Sequence, residues 1–204
     1  VRILAIGSST GGPAALSTVV PALSAGLPVP VVITQHMPPM FTRLLADRLN
    51  AVGPLPASEA VDGEPAEPGR VYVAPGGRHL KVVADAGRPG RLRLRLDDGP
   101  PENSCRPAVD VMFRTAADAC GSGVLAVVLT GMGQDGMLGG RRVVDAGGRV
   151  IAQDQATSVV WGMPGAVVRD GLADRVLPLA DVAAEVNRRV ARATGGPAPL
   201  RIGA

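Results

Sequence analysis

Between the apolar run Ile3-Leu4-Ala5-Ile6 and a stretch of helical character lie Gly7-Ser8-Ser9-Thr10-Gly11-Gly12. Hydroxyls held among glycines at the end of a strand can act as a nucleophile, line a phosphate cradle, or simply form a turn. Gly7 to Gly11 fits G-x-S-x-G with Ser9 in the serine slot. The pattern needs glycines because the chain turns sharply there and lifts the serine above the sheet edge. The helix that follows aims its free N–H groups back at the turn, where a developing oxyanion could use them.

A serine nucleophile needs a base, and the chain has 2 histidines. His36 closes the apolar run VVITQ, which puts it on the same sheet edge as Ser9. His79 follows a Pro/Gly turn at the start of an alternating segment and reads as a structurally bonded or exposed histidine. The base must in turn be oriented by an acid. Asp135 follows VLAVVLTG at a helix start, where an N-cap is the competing role. Asp154, after RVIAQ, is the rival. A second motif competes: Gly131-Met132-Gly133-Gln134-Asp135-Gly136 matches G-x-G-x-x-G, with Asp154 near the place of a ribose-binding acid. That reading sets the Asp135 carboxylate beside a pyrophosphate, which electrostatics disfavours, and it uses a late βα unit. No G-K-[ST] exists, so a P-loop is excluded.

These residues are positioned by apolar runs alternating with helical patterns. RILAIG (2–7) precedes a helix over about 12–24, and PVVITQH (30–36) precedes one over about 39–50. RVYVAP (70–75) leads into HLKVVADAGRPGRLRLRL, two alternating segments around a Gly/Pro turn that read as a β-hairpin. A helix over about 107–120, strands at 124–131 and 149–154 enclosing a helix over 136–147, a short helix at 164–170, the strand VLPL and a helix over 180–193 follow. This order predicts an α/β fold of one domain: a doubly wound, mostly parallel sheet with an inserted antiparallel hairpin. The stretch 52–69, rich in Pro, Glu and Ala, reads as a long surface connection, and 195–204 as a flexible tail. In open α/β sheets ligands bind beyond the carboxyl ends of the strands. Four of those ends are chemically loaded: GSSTGG, TQHMPPM, TGMGQDG and AQDQATS.

Composition agrees. The chain has 204 residues, 46% of them hydrophobic and only 2% aromatic, with the apolar mass in Val, Leu and Ala, which suits buried parallel strands. A formal charge of +3 with Lys81 as the sole lysine, and no basic run interleaved with aromatics, argues against nucleic acid as a partner. It suits an acidic partner surface. No run is long enough for a membrane span and no signal peptide is evident, so a cytoplasmic protein without membrane insertion is expected. Cys105 and Cys120 give no metal or disulfide framework, as in a reducing compartment. The sequence opens at Val1 inside what reads as a strand, as a piece of a longer protein would.

IGSSTGGP, ITQHMPP, VYVAPGGRHL, RPAVDVMF, LTGMGQDG and AQDQATSVVWGMP occur in this order and together resemble the catalytic domain of the chemotaxis protein-glutamate methylesterase (CheB) family, over about residues 2–190. The resemblance implies Ser9 as nucleophile, His36 as base and Asp135 as acid. Thr10, Gly11 and Gly12 would support the nucleophile, and the Met132 backbone N–H would be an oxyanion donor. It also implies a doubly wound fold with a hairpin, no cofactor and no metal. Implied partners are the methylated cytoplasmic bundle of a chemoreceptor and a separate or removed receiver domain. The implied reaction is hydrolysis of γ-glutamyl methyl esters, with deamidation of receptor glutamines as a further family activity. Ser8 stands where the family commonly has alanine, and no mechanistic consequence is expected of it. Met37, Met40, Met137 and Met163 lie near these blocks and could form a soft rim for a helical substrate. The alternatives are a general serine esterase on small esters, which the order Ser9, His36, Asp135 disfavours, and a nonenzymatic nucleotide-binding module.

Overall fold

The computed structural model describes residues 1–194, so the expected tail at 195–204 lies outside the described residues. Its centre is three consecutive buried strands: β1 (Ile3–Ser8), β2 (Val31–Gln35) and β7 (Val124–Val128). Their runs are apolar at nearly every position because both faces are covered. Along β1, Ile3 and Ala5 enter one core while Leu4 and Ile6 enter the other; Val124 and Ala126 alternate with Leu125 and Val127 in the same way. Leu16, Leu45, Leu49 and Val186 close the second core, contributed by α1 (Gly12–Val19), α2 (Phe41–Val52) and α6 (Leu179–Thr194). The first core is closed by Met112 and Phe113 of α3 (Val109–Cys120), Val143 of α4 (Met137–Asp145) and Val167 of α5 (Met163–Arg169).

The sheet has seven strands, all parallel, in the order β3-β4-β2-β1-β7-β8-β9. The outer members are β3 (Ala57–Glu59), β4 (Val71–Val73), β8 (Arg149–Gln153) and β9 (Arg175–Leu177). The chain winds outward from β1 through β2, and outward the other way from β7 through β8 and β9. The direction therefore reverses between β1 and β7, where a doubly wound sheet opens its crevice at the carboxyl ends.

The hairpin forms a separate sheet of β5 (His79–Ala84) and β6 (Leu92–Asp97). Leu80, Val82, Leu92 and Leu94 face the first core beside Phe113, and the alternating arginines Arg93 and Arg95 face outward. Two expectations need correction. The connection over 52–69 contains a strand, β3, whose three residues pair with β4 at the sheet edge, too short to show as a periodic run. The first helix stops at Val19 and continues as a 3₁₀ turn, Val20–Ala22, around Pro21, which has no N–H to extend the ladder. No helix among the described residues is long and apolar enough to cross a membrane.

Candidate active site

Parallel pairing sets the first distance. Ser8 lies opposite Gln35 in the β1–β2 register, so the next residue of each strand, Ser9 and His36, leaves the sheet side by side at the switch point. Backbone bonds hold both: the Ser9 N–H donates to the Thr130 carbonyl at 3.0 Å, and the His36 N–H donates to the Ser8 carbonyl at 3.1 Å. The buried Gln35 amide then ties them together, its Nε2 donating to the Ser9 carbonyl at 2.9 Å and the His36 carbonyl at 3.0 Å. Ser8, expected to be without consequence, fixes that amide. Its buried hydroxyl donates to Gln35 Oε1 at 2.7 Å, which leaves the NH₂ end facing the two carbonyls. Gly12 must lack a side chain for this: a Cβ there would come within 1.9 Å of Gln35 Oε1.

On the other side of the switch, the segment after β7 abuts the same point. A Cβ on Gly131 would lie 2.8 Å from Ser9 Cβ and 2.3 Å from Met163 Sδ, so the two chains pack backbone to side chain. The backbone N–H groups of Thr10 and Met132 find no acceptor among the described residues. One of these donors follows Ser9 in the chain and the other follows Gly131, whose backbone packs against the Ser9 side chain.

Asp135 is buried, and its carboxylate is saturated. Oδ2 accepts from His36 Nε2 at 2.7 Å and from the Val109 N–H at 2.7 Å. Oδ1 accepts from the N–H groups of Asp110 at 2.9 Å and Gly136 at 3.0 Å, and from Asn103 Nδ2 at 3.0 Å. Burial by itself raises its pKa, but His36 and the Val109 and Asp110 amides outweigh that and hold the carboxyl below its ordinary value. Since this carboxylate only accepts, His36 Nε2 carries the ring proton and Nδ1 keeps its lone pair. The ring is thus turned opposite to the serine-protease arrangement, in which Nδ1 faces the acid. Nδ1 faces Cys105, whose Sγ lies 3.4 Å away. Burial and the Asp135 charge push that thiol's pKa up, keeping it an S–H donor. The Ser9 hydroxyl makes no hydrogen bond among the described residues; such contacts often tighten only with substrate bound.

Four residues of this site were not expected from sequence: Gln35, Asn103, Cys105 and Asp110. Asp110, in the first turn of α3, is buried and caps α4 instead of its own helix. Its Oδ1 accepts from Gly136 at 2.9 Å and Gly139 at 2.7 Å, and its Oδ2 from Asn103 Nδ2 at 2.9 Å. Burial raises its pKa, with the Asp135 charge adding to the effect. Asn103 Nδ2 therefore bridges two buried carboxylates from a turn in which Asn103 and Ser104 take left-handed φ of 52° and 61°. With Asp110 on these amides, the start of α4 has no open cradle for a pyrophosphate, which removes the structural basis for a nucleotide site at Gly131–Gly136.

The remaining candidates separate cleanly. Asp154 caps its own turn, accepting from Thr157 N–H and Oγ1, and is no partner of His36. His79 is structural: Nδ1 accepts from the Ala108 N–H at 3.1 Å and Nε2 donates to the Pro100 carbonyl at 3.0 Å, holding the loop that carries Asn103 and Cys105. Of the expected methionine rim, Met40 is 71% exposed, while Met37 and Met137 are half-buried. Met163 is a correction: it is fully buried, because α5 starts under Gly131 and turns its first side chain into the core. Exposed Phe41, Met132, Leu138 and Val159 instead extend the apolar border at the same end of the sheet.

A doubly wound parallel sheet that gathers a serine, an imidazole and a saturated buried carboxylate at its switch point has the layout of an α/β esterase domain. Similarity narrows the class: the CheB methylesterase family model matches residues 4–186, and the chain belongs to that family. The crystal structure of the Thermotoga maritima CheB methylesterase catalytic domain superimposes with a TM-score of 0.89 at 45% identity, covering 92% of this chain and 98% of that one. A protein-glutamate methylesterase/protein-glutamine glutaminase of Nocardioides sp. is 58% identical over 191 residues, covering 94% of this chain and 51% of that protein. The group 2 operon protein of the same name from Bradyrhizobium diazoefficiens is 53% identical over 188 residues, covering 92% and 47%. The chain thus spans about half the length of the curated relatives it matches.

Proposed function

We propose that this chain hydrolyses γ-glutamyl methyl esters on the helical cytoplasmic bundle of a chemoreceptor, inside the cell, through Ser9, His36 and Asp135. The observation carrying the reading is the β1–β2 register, with Ser9 and His36 adjacent and the Asp135 carboxylate behind the imidazole. His36 Nδ1 takes the Ser9 proton as Oγ attacks the ester carbonyl, displacing the Cys105 thiol from that nitrogen. Asp135 holds the tautomer and stabilises the imidazolium. The N–H groups of Thr10 and Met132 receive the oxyanion. His36 returns the proton to the leaving methoxide, methanol departs, and a water activated by the same nitrogen releases the glutamate. Nothing in these steps calls for a cofactor. The same relay can displace ammonia from a glutamine side chain, and the names of the relatives support that second activity.

The test is methanol release from a methylated chemoreceptor cytoplasmic fragment, with fluorophosphonate labelling in parallel. Wild-type protein should release methanol and take up one label on Ser9, and Ser9→Ala should do neither while keeping its fold. Methanol release by Ser9→Ala at the wild-type rate would sink the assignment.

A further inference from the structure

Cys105 plays no part in the proposed hydrolysis, yet it occupies the nitrogen the hydrolysis needs. Its Sγ is 3.4 Å from His36 Nδ1, and ligand atoms of His36, Cys105 and Asp135 all lie within 4.8 Å of one another. A tetrahedral zinc ion, with bonds of about 2.0–2.1 Å to imidazole nitrogen and about 2.3 Å to thiolate sulfur, sets those two donors roughly 3.5 Å apart. The pair already has that spacing. The ring is also oriented as in metal sites, where a ligating histidine donates its other N–H to a carboxylate. Here Nε2 donates to Asp135 at 2.7 Å, and Asp135 is itself fixed by Asn103 and three backbone amides. On the open side, a cleft of about 280 Å³ lined by His36, Met37, Ser104, Cys105 and Arg106, whose guanidinium is engaged by the Asp98 and Gly99 carbonyls, leaves room for water to complete the coordination.

We propose that His36 Nδ1 and Cys105 Sγ form a binding site for a thiophilic divalent cation of the zinc class, and that its occupation switches the esterase off. The cation bonds to the Nδ1 lone pair and to the sulfur, whose proton leaves to solvent, while the Nε2–H···Asp135 bond persists. With its lone pair engaged, Nδ1 cannot accept the Ser9 proton. The site stands on the Cys–His–carboxylate geometry alone; only the inhibition rests on the proposed role of His36.

Cobalt(II) serves as the spectroscopic probe on the fully reduced protein. One equivalent should produce a thiolate-to-cobalt charge-transfer band. The band should vanish in Cys105→Ser and His36→Ala, and persist in Cys120→Ser and Ser9→Ala. In the methanol assay zinc should inhibit reversibly on chelation, with a midpoint raised at least about tenfold in Cys105→Ser. Circular dichroism checks that each variant is folded. Absence of the band, or its retention in folded Cys105→Ser, would overturn the site. A Cys105-dependent band with zinc-insensitive methanol release would overturn the switch. A Cys105-dependent band in a protein that releases no methanol from any ester keeps the site and refutes the hydrolytic reading instead.

Discussion

Replacing Asp135 by asparagine changes one atom and asks the most of the proposed relay. The carboxylate meets five N–H donors and offers none in return. An asparagine must turn its NH₂ toward one of two groups. Facing Asp110, Gly136 and Asn103 it opposes three donors. Facing His36 and Val109 it opposes two, so the second orientation wins. His36 can then adapt by moving its proton to Nδ1 and accepting at Nε2, which leaves the Val109 N–H and the second amide hydrogen unpaired. Each buried unpaired donor costs about 1–3 kcal/mol of stability. The tautomer, however, is now wrong: Nδ1–H cannot receive the Ser9 proton. By analogy with the same change in serine proteases, kcat should fall roughly 10⁴-fold, or about 5.5 kcal/mol of activation free energy.

The control is the neighbouring carboxylate. Asp110→Asn can keep its oxygen on Gly136 and Gly139, disturbs only the Asn103 bridge, and removes a charge that sits against Asp135. Its stability should fall by no more than about 1–3 kcal/mol, the cost of the lost Asn103 bond, and its kcat should stay within about tenfold of wild type. Their pH dependences should differ in sign. Asp135 binds its proton less tightly folded than unfolded, so it adds stability above the ordinary carboxyl value of 3.8 that is lost as pH falls through its lower folded value. Asp110 acts in reverse: its stabilising contribution is present in acid and is lost as pH rises through its raised folded value. Urea unfolding from pH 2 to 7 should show Asp135→Asn flattening the acid limb and Asp110→Asn steepening it. Methanol release and unfolding on both variants decide the matter. An Asp135→Asn kcat within tenfold of wild type, or equal losses of kcat in the two variants, would refute the reasoning.

Other predictions follow from the same geometry. Gln35→Leu leaves the Ser9 and His36 carbonyls without their shared donor; stability should drop by about 2–4 kcal/mol and kcat should fall with KM little changed, read by urea unfolding and initial rates. Ser8→Ala releases the Gln35 amide to rotate and should show a smaller loss of the same kind, about 1–3 kcal/mol; an unchanged stability would remove Ser8 from the clamp. Met40→Ser combined with Met137→Ser should raise KM for the receptor fragment more than it lowers kcat, whereas the reverse would show that these side chains serve the chemistry and not docking.

Much of the site could be read in sequence because it is built from strand ends. β1, β2 and β7 are buried on both faces, so each appears as an unbroken apolar run. The polar residue that ends such a run must sit at the carboxyl edge, and Ser9, His36 and Asp135 each follow one. What escaped is what arrives from elsewhere. Asp110 reads as an ordinary first-turn acid of α3, and nothing in its neighbours says that it caps α4. Asn103 and Cys105 come in on a loop pinned by His79, the Glu102–Arg114 pair and two left-handed residues, none of which has a periodic signature. Met163 differs in kind: its place in sequence near the site is real, but one turn at Gly162 decides whether a side chain meets solvent or the core.

The division bears on how the relay is built. Of the three residues visible in sequence, Ser9 and His36 directly follow β1 and β2 and are fixed by the sheet's register, whereas Asp135 lies beyond β7 in the turn before α4 and is held by its own hydrogen bonds. The residues invisible in sequence supply hydrogen bonds: Gln35 ties two carbonyls together, and Asn103 joins the amides that fill the Asp135 oxygens, while His36 and the Val109 and Asp110 amides hold that carboxyl below its ordinary value. The positions of Ser9 and His36 thus come from strands, and the ionisation of Asp135 from hydrogen bonds that cross between elements. Damage to the first group should abolish the reaction outright. Damage to the second should shift its pH dependence and its tautomer while leaving Ser9 and His36 where the register puts them.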